Sequence, residues 1–290
     1  MRRLLIVGCG DIGQRVATLV NGRWRTFALA RSEQRAEELR KRGIVPIIGD
    51  LDRVETLDRV GSLAHDIVHL APPPGSGTRD TRTANLIRAL TRAGSLPQRL
   101  VYISTSGVYG DCGGRLVDER RPAQPTTERA QRRLDAERQL RAWGAHSGVQ
   151  VSILRVPGIY AAERLPVARL RAGTPALVPD QDPYTNHIHA EDLARIIVSA
   201  LGRGRAGRTY NASDDSSLKM GEYFDLVADR FGLPRPPRLT WDEVRNTVPE
   251  TVLSFMRESR RLANRRMKKE LRVRLRFPSV AAAVQAPRAH

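Results

Sequence analysis

The hexapeptide Gly8-Cys9-Gly10-Asp11-Ile12-Gly13 restricts the fold of this chain more than any other stretch. It comes after an apolar run at 4–7, read as a strand, and opens an amphipathic stretch at 12–20, read as a helix. A strand that turns straight into a helix needs glycine for the tight turn and for close backbone approach. The amides at the start of the helix then face the space where a pyrophosphate can sit. Gly8, Cys9, Gly10, Asp11, Ile12 and Gly13 are therefore candidate dinucleotide contacts, with Cys9 a small residue within the turn. The alternative is the same turn with no ligand.

The pattern of the chain beyond the turn favours the ligand. Apolar runs at 26–30, 45–48, 67–70, 100–104 and 149–154 alternate with amphipathic stretches at 33–42, 81–93 and 127–143. These runs are continuously apolar, as parallel strands covered on both faces must be. Right-handed crossovers then give an α/β fold, a doubly wound parallel sheet of the Rossmann type. Beyond Pro157 the elements shorten, with helices expected at 191–201 and 220–231 and a strand at 208–212. The expected organisation is a dinucleotide-binding domain over 1–158, to which 185–212 returns. A smaller C-terminal substrate lobe is built from 159–184 and 213–280, and 281–290 forms a disordered tail.

Composition narrows the function classes. Of the 290 residues, 40% are apolar and 28% charged, which suits a packed globular protein. No apolar run reaches the ~20 residues of a membrane crossing. The run after Met1-Arg2-Arg3 is cut by Gly8 after four residues, short of a secretion signal. Two cysteines, Cys9 and Cys112, make neither a disulfide framework nor a zinc site. A soluble, cytoplasmic protein is expected, as a monomer or homodimer. His187 and His189 with Asp192 invite a metal, but lack further ligands; a structural role before the next helix is expected instead.

The charge is +18, from 49 basic and 31 acidic residues, and would suit nucleic acid or phosphorylated ligands. Only Lys41, Lys219, Lys268 and Lys269 are not arginine, so the bias reads as a solvated surface. The segment 257–276 carries ten basic and two acidic residues, yet also Leu262, Met267, Leu271, Val273 and Leu275. It is expected to pack as a basic helix and strand against the substrate lobe, nucleic acid is not an expected partner, and a deletion after Phe277 is expected to leave folding intact.

The end of the second strand reports on the dinucleotide. It reads Ala28-Leu29-Ala30-Arg31-Ser32, with no acid to receive the adenine ribose hydroxyls. Arg31 offers a guanidinium to a 2′-phosphate, so Arg31 and Ser32 favour NADP, with NAD possible.

Five further motifs recur in order: Gly49-Asp50-Leu51, Val68-His69-Leu70-Ala71, the run from Tyr102 to Gly110, Leu154 to Tyr160, and Asn186 to Ala194. With them the chain, over about residues 3–280, resembles the NAD-dependent epimerase/dehydratase branch of the short-chain dehydrogenase/reductases, and within it an atypical (YeeZ-type) subgroup. The resemblance implies cofactor contacts from Asp50, Leu51, Leu70, Ala71 and Pro72, with Pro157 to Ile159 flanking the nicotinamide. It implies Thr105 as the catalytic hydroxyl. Ser106 and two loop tyrosines, Tyr109 and Tyr160, are candidates for the substrate. The family's catalytic Tyr-x-x-x-Lys is replaced: aligned on Ala136-Glu137, Arg129 stands for the tyrosine and Arg133 for the lysine. Arginine stays protonated and cannot shuttle a proton, although Arg133 could hold a ribose or phosphate. Four residues apart, the two share a helix face and would favour anionic carbonyl substrates. The expected function is an NAD(P)-dependent oxidoreductase or epimerase/dehydratase-like enzyme acting on a small carbonyl or sugar-like molecule. The alternative is a non-catalytic NADP(H)-binding regulator or sensor.

Overall fold

Leu4, Leu5, Ile6 and Val7 are all fully buried. Neighbours along a strand point to opposite faces, so this strand is covered on both sides. It is central to a seven-stranded sheet in the computed structural model, which describes residues 1–248, 253 and 256–285. The strands are β1 (Arg2–Val7), β2 (Trp24–Ala30), β3 (Val45–Ile48), β4 (Asp66–His69), β5 (Arg99–Thr105), β6 (Gln150–Val156) and β7 (Arg208–Asn211). Their spatial order is β7-β6-β5-β4-β1-β2-β3, and every pairing is parallel. Ile6 sits between Ala28 of β2 and Val68 of β4 in register. This is the expected doubly wound α/β architecture.

Two helical layers cover the sheet. Leu4, Ile6, Val68, Val101 and Leu154 face helices α1 (Asp11–Val20), α2 (Glu33–Arg40) and α5 (Ala190–Arg203). Leu5, Val7, Ile67, Tyr102 and Ile153 face α3 (Thr81–Arg92) and α4 (Glu128–Ser147). Each such aliphatic side chain contributes roughly 1.5–3 kcal/mol by leaving water. The second layer is also locked by charge. Glu137 of α4 is fully buried and accepts two hydrogen bonds from Arg155 of β6, at 3.0 and 2.8 Å. A buried pair persists when its hydrogen bonds are well formed, and this one orients α4 over the carboxyl ends of β5 and β6.

A third core belongs to the lobe. Tyr160, Leu170 and Leu177 meet Tyr223, Phe224 and Val227 of α6 (Met220–Phe231), with Val244, Val280 and Val284. Two expectations change here. The disordered tail from 281 is replaced, up to Gln285, by the helix Val280–Gln285. Val280 and Val284, four apart and on one face, are buried in the lobe core. The rest of that tail, 286–290, lies outside the described residues. The basic segment also docks elsewhere: Met267, Leu271 and Val273 join the sheet's core beside α5 rather than the lobe. Several of its charges are paired, such as Arg266 with Glu119 at 3.5 Å and Glu270 with Arg208. Among the described residues no helix is long and apolar enough to cross a membrane.

Candidate active site

The strand order reverses between β1 and β4, and in an open parallel sheet the crevice at that point binds ligands. The three glycines of the first turn divide the work. Gly8 adopts φ +89°, and a Cβ there would lie 2.4 Å from the Ala71 backbone nitrogen, so only glycine lets the loop after β4 come this close. A Cβ on Gly13 would lie 3.1 Å from Ile6 Cγ2, which sets the close packing of α1 on β1. A Cβ on Gly10 would meet no atom within 4 Å. Gly10 therefore keeps open space at the start of α1, where no side chain caps the helix amides. That is the cradle a pyrophosphate requires.

A cavity of about 740 Å³ opens there. It brings together Gly8, Cys9 and Gly10 with Arg31 and Ser32 after β2, Asp50 and Leu51 after β3, and Leu70, Ala71 and Pro72 after β4. Ile12 and Gly13 turn inward to the core instead. Asp11 is paired with Arg15 at 2.8 Å and with Arg164 at 3.4 Å, and does not line the cavity. Burial pushes the Cys9 thiol up to about 11, so it stays a neutral spacer. One cavity residue, Arg35, is not marked by any sequence motif. Ser32 caps α2 by accepting the Arg35 amide at 3.3 Å, and Arg35 then reaches back to donate to the Cys9 carbonyl. A signal was present: a capping serine places the residue three further on beside its own turn.

A second cavity of about 380 Å³ lies at the ends of β5 and β6. Thr105, Ser106, Arg129, Arg133 and Pro157 line it together. The two cavities share a wall: Arg133 Nη1 donates to the Ala71 carbonyl at 3.3 Å, the Ile103 carbonyl at 2.9 Å and the Tyr102 hydroxyl at 3.2 Å. Arg133 is thus a brace across the carboxyl ends of β4 and β5. Thr105 Oγ1 accepts the Gly107 amide at 3.2 Å, which leaves its own hydrogen to donate. Burial weakens the protonated form of Arg129, as do its neighbours Arg133 and Arg132, while Glu258 opposes them.

Neither loop tyrosine reaches this cleft. Tyr109 is fully buried; its hydroxyl donates to Asn211 Oδ1 at 2.8 Å, and Arg155 lies 4.6 Å from its ring centre. Tyr160 pairs in register with His189, which turns its ring into the lobe core against His187 and His189. A strand-edge position does not reveal which way either ring turns. Tyr184 lines the cleft instead, with Arg261 4.9 Å from its ring centre. Asn186, the first residue of the Asn186-to-Ala194 motif, also lines it, as do Glu258 and Arg260, which no sequence motif singles out. Glu258 and Arg260 pair at 2.7 Å, and a charge pair inside a basic run carries no pattern that marks it.

The histidines serve structure. His187 and His189 are buried, and desolvation pushes His187 down to about 4, so it is neutral. His189 Nδ1 accepts the Glu191 amide and caps α5. Among the described residues no three His, Cys, Asp or Glu side chains gather to hold a metal.

The chain is similar to known proteins in sequence and fold. A family model described as NAD(P)H-binding matches residues 8–203. The chain is 25% identical over 249 residues to a 4-hydroxy-2-methyl-3-oxo-4-farnesyl-3,4-dihydroquinoline-1-oxide ketoreductase of Stigmatella aurantiaca, covering 80% of this chain and 74% of that one. The structure of a functionally unknown conserved protein from Silicibacter pomeroyi superposes with a TM-score of 0.82 at 26% identity, over 98% of this chain and 97% of that one. A dTDP-glucose 4,6-dehydratase of Bacillus anthracis, in complex with NAD, gives 0.77 at 17% identity, over 98% and 94%, and shares the fold.

Proposed function

The chain belongs to the NAD(P)H-binding family, and from that premise we propose that it is an enzyme, an NAD(P)-dependent oxidoreductase or an epimerase/dehydratase-like catalyst. Its substrate is a small carbonyl or sugar-like molecule. One observation carries this reading: the cavity at Gly10 and the cleft holding Thr105 are neighbours at the carboxyl edge of the sheet, since Arg133 of the cleft hydrogen-bonds the carbonyl of Ala71, which lines the cavity. The residues fit the cofactor. Gly8 to Gly10 would hold its pyrophosphate, Asp50 and Leu51 its adenine, and Pro157 would flank its nicotinamide. A nicotinamide cofactor supplies hydride exchange. Arg31 with Arg35 favours NADP over NAD, since a 2′-phosphate would find two guanidinium groups beside Ser32. The free thiols of Cys9 and Cys112 suit a protein of the cytoplasm, working as a monomer or homodimer.

Thr105 holds the reacting oxygen by donating its hydroxyl hydrogen. Arg129 cannot exchange the proton, and Tyr184 is the cleft's phenol that can. With NADPH and a panel of small aldehydes and ketones, the unaltered protein should oxidise NADPH, and Tyr184→Phe should lower kcat by about 10²–10⁴-fold, the ordinary worth of an acid–base group. Unchanged kcat in Tyr184→Phe would remove it from the mechanism. A non-catalytic NADP(H) sensor is the second reading, favoured by Arg129 in the tyrosine's position. Tight NADPH binding without oxidation of NADPH by any carbonyl tested would select it.

A further inference from the structure

We propose that the cleft contains an oxyanion subsite between Arg129 and Arg260, which takes a carboxylate or phosphate of the substrate in exchange for the internal counter-ion Glu258. The subsite rests on the reading of this cleft as the substrate's and narrows that substrate to an anion. Among the described residues, the arginines that line the cleft are Arg129, Arg133 and Arg260, and the carboxylate that lines it is Glu258. Arg133 is committed to two backbone carbonyls and the Tyr102 hydroxyl, so the pair expected from helix spacing is not the pair that the fold offers. Arg260 takes its place, brought from a distant segment and anchored through Nη1 to the Gly110 carbonyl at 2.7 Å.

Glu258 shows how the subsite balances its charge. One carboxylate oxygen accepts from Thr126 at 2.6 Å and the other from Arg260 at 2.7 Å, and its charge also favours protonated Arg129. Arg260 Nε is buried without a hydrogen-bond partner, a donor that this counter-ion does not satisfy. That unmet donor is satisfied by a ligand oxyanion with several acceptor oxygens, whose charge also favours the protonated Arg129 against its burial and its neighbours Arg133 and Arg132. The subsite also lies at the N-terminus of α4, a helix of 20 residues whose first turn, with Thr127 and Ala130, lines the same cleft. The positive end of that helix adds to the attraction.

Calorimetric titration tests this with malonate, inorganic phosphate and neutral malonamide, and NADPH is titrated separately into each protein. Malonate or phosphate should bind and malonamide should not; the better of the two anions identifies the group. Arg129→Gln should weaken anion binding about tenfold, the scale of one charge-assisted hydrogen bond. Glu258→Gln removes the competing carboxylate and should tighten it several-fold, a gain that misfolding cannot produce. Arg92→Gln, an exposed arginine that lines neither cavity, should leave it unchanged. The proposal is overturned if neither anion binds, if malonamide binds equally, if Glu258→Gln fails to tighten binding, or if Arg129→Gln weakens it no more than Arg92→Gln does. NADPH binding without anion binding would sink the subsite alone. Anion binding without NADPH binding would sink the cofactor reading alone.

Discussion

Arg31 and Arg35 owe their placement to Ser32, whose cap starts α2 and sets both guanidinium groups beside one cavity. NADPH should therefore bind more tightly than NADH. Arg31→Asp should weaken NADPH by about 1–3 kcal/mol, the scale of a hydrogen bond to a charged group, and reverse the preference. Equal affinity for both cofactors in an equilibrium titration of the unaltered protein would contradict this. Asp214 makes a different prediction. Its buried carboxyl is pushed up to about 7 from an ordinary 3.8, chiefly by desolvation. Below about pH 4 both folded and unfolded chains keep the proton. Between about 4 and 7 the unfolded chain loses it and the folded chain does not, so this group's contribution to stability falls as pH rises, by about 1.4 kcal/mol per unit. Above 7 the deficit is constant. Asp214→Asn should match the parent near pH 4 and exceed it increasingly up to pH 7 in urea denaturation; a gap independent of pH would refute the assignment.

Among the secondary-structure elements, the central parallel strands are legible because they bury both faces, and a continuous apolar run such as 4–7 has no other stable place. The helix Val280–Gln285 is not legible, since two buried valines among alanines give no period to read. The structure reverses the expectation attached to that stretch. Removing every residue after Phe277 should destabilise the protein by about 1.5–3 kcal/mol for each of Val280 and Val284, read as a lower denaturation midpoint. An unchanged midpoint would restore the disordered-tail reading. The basic stretch ending at Arg276 packs, as its apolar residues imply. Its docking on the sheet rather than the lobe depends on α5, which sequence spacing does not place.

Over the chain as a whole, the cofactor half and the substrate half of the crevice differ in how far they can be read from sequence. The cofactor half is written locally: Gly8, Gly10, Arg31, Asp50 and Ala71 each come within three residues of the end of a strand, and the sheet brings those ends to one edge. The substrate half joins Thr105 and Arg129 to Tyr184, Glu258 and Arg260, whose meeting depends on long-range packing of the lobe. For that reason Tyr184 and Arg260 stand in the cleft where Tyr109 and Tyr160 were expected. The enzyme reading of the crevice depends on the first turn being a dinucleotide cradle rather than a bare strand-to-helix turn, and Gly10→Val separates the two. A Cβ there has no protein atom within 4 Å, so the variant should unfold at close to the parent's denaturant midpoint. Fluorescence titration of the two proteins with NADPH then decides. A cradle requires that the parent binds and Gly10→Val does not; equal binding by both, or none by the parent, would contradict it.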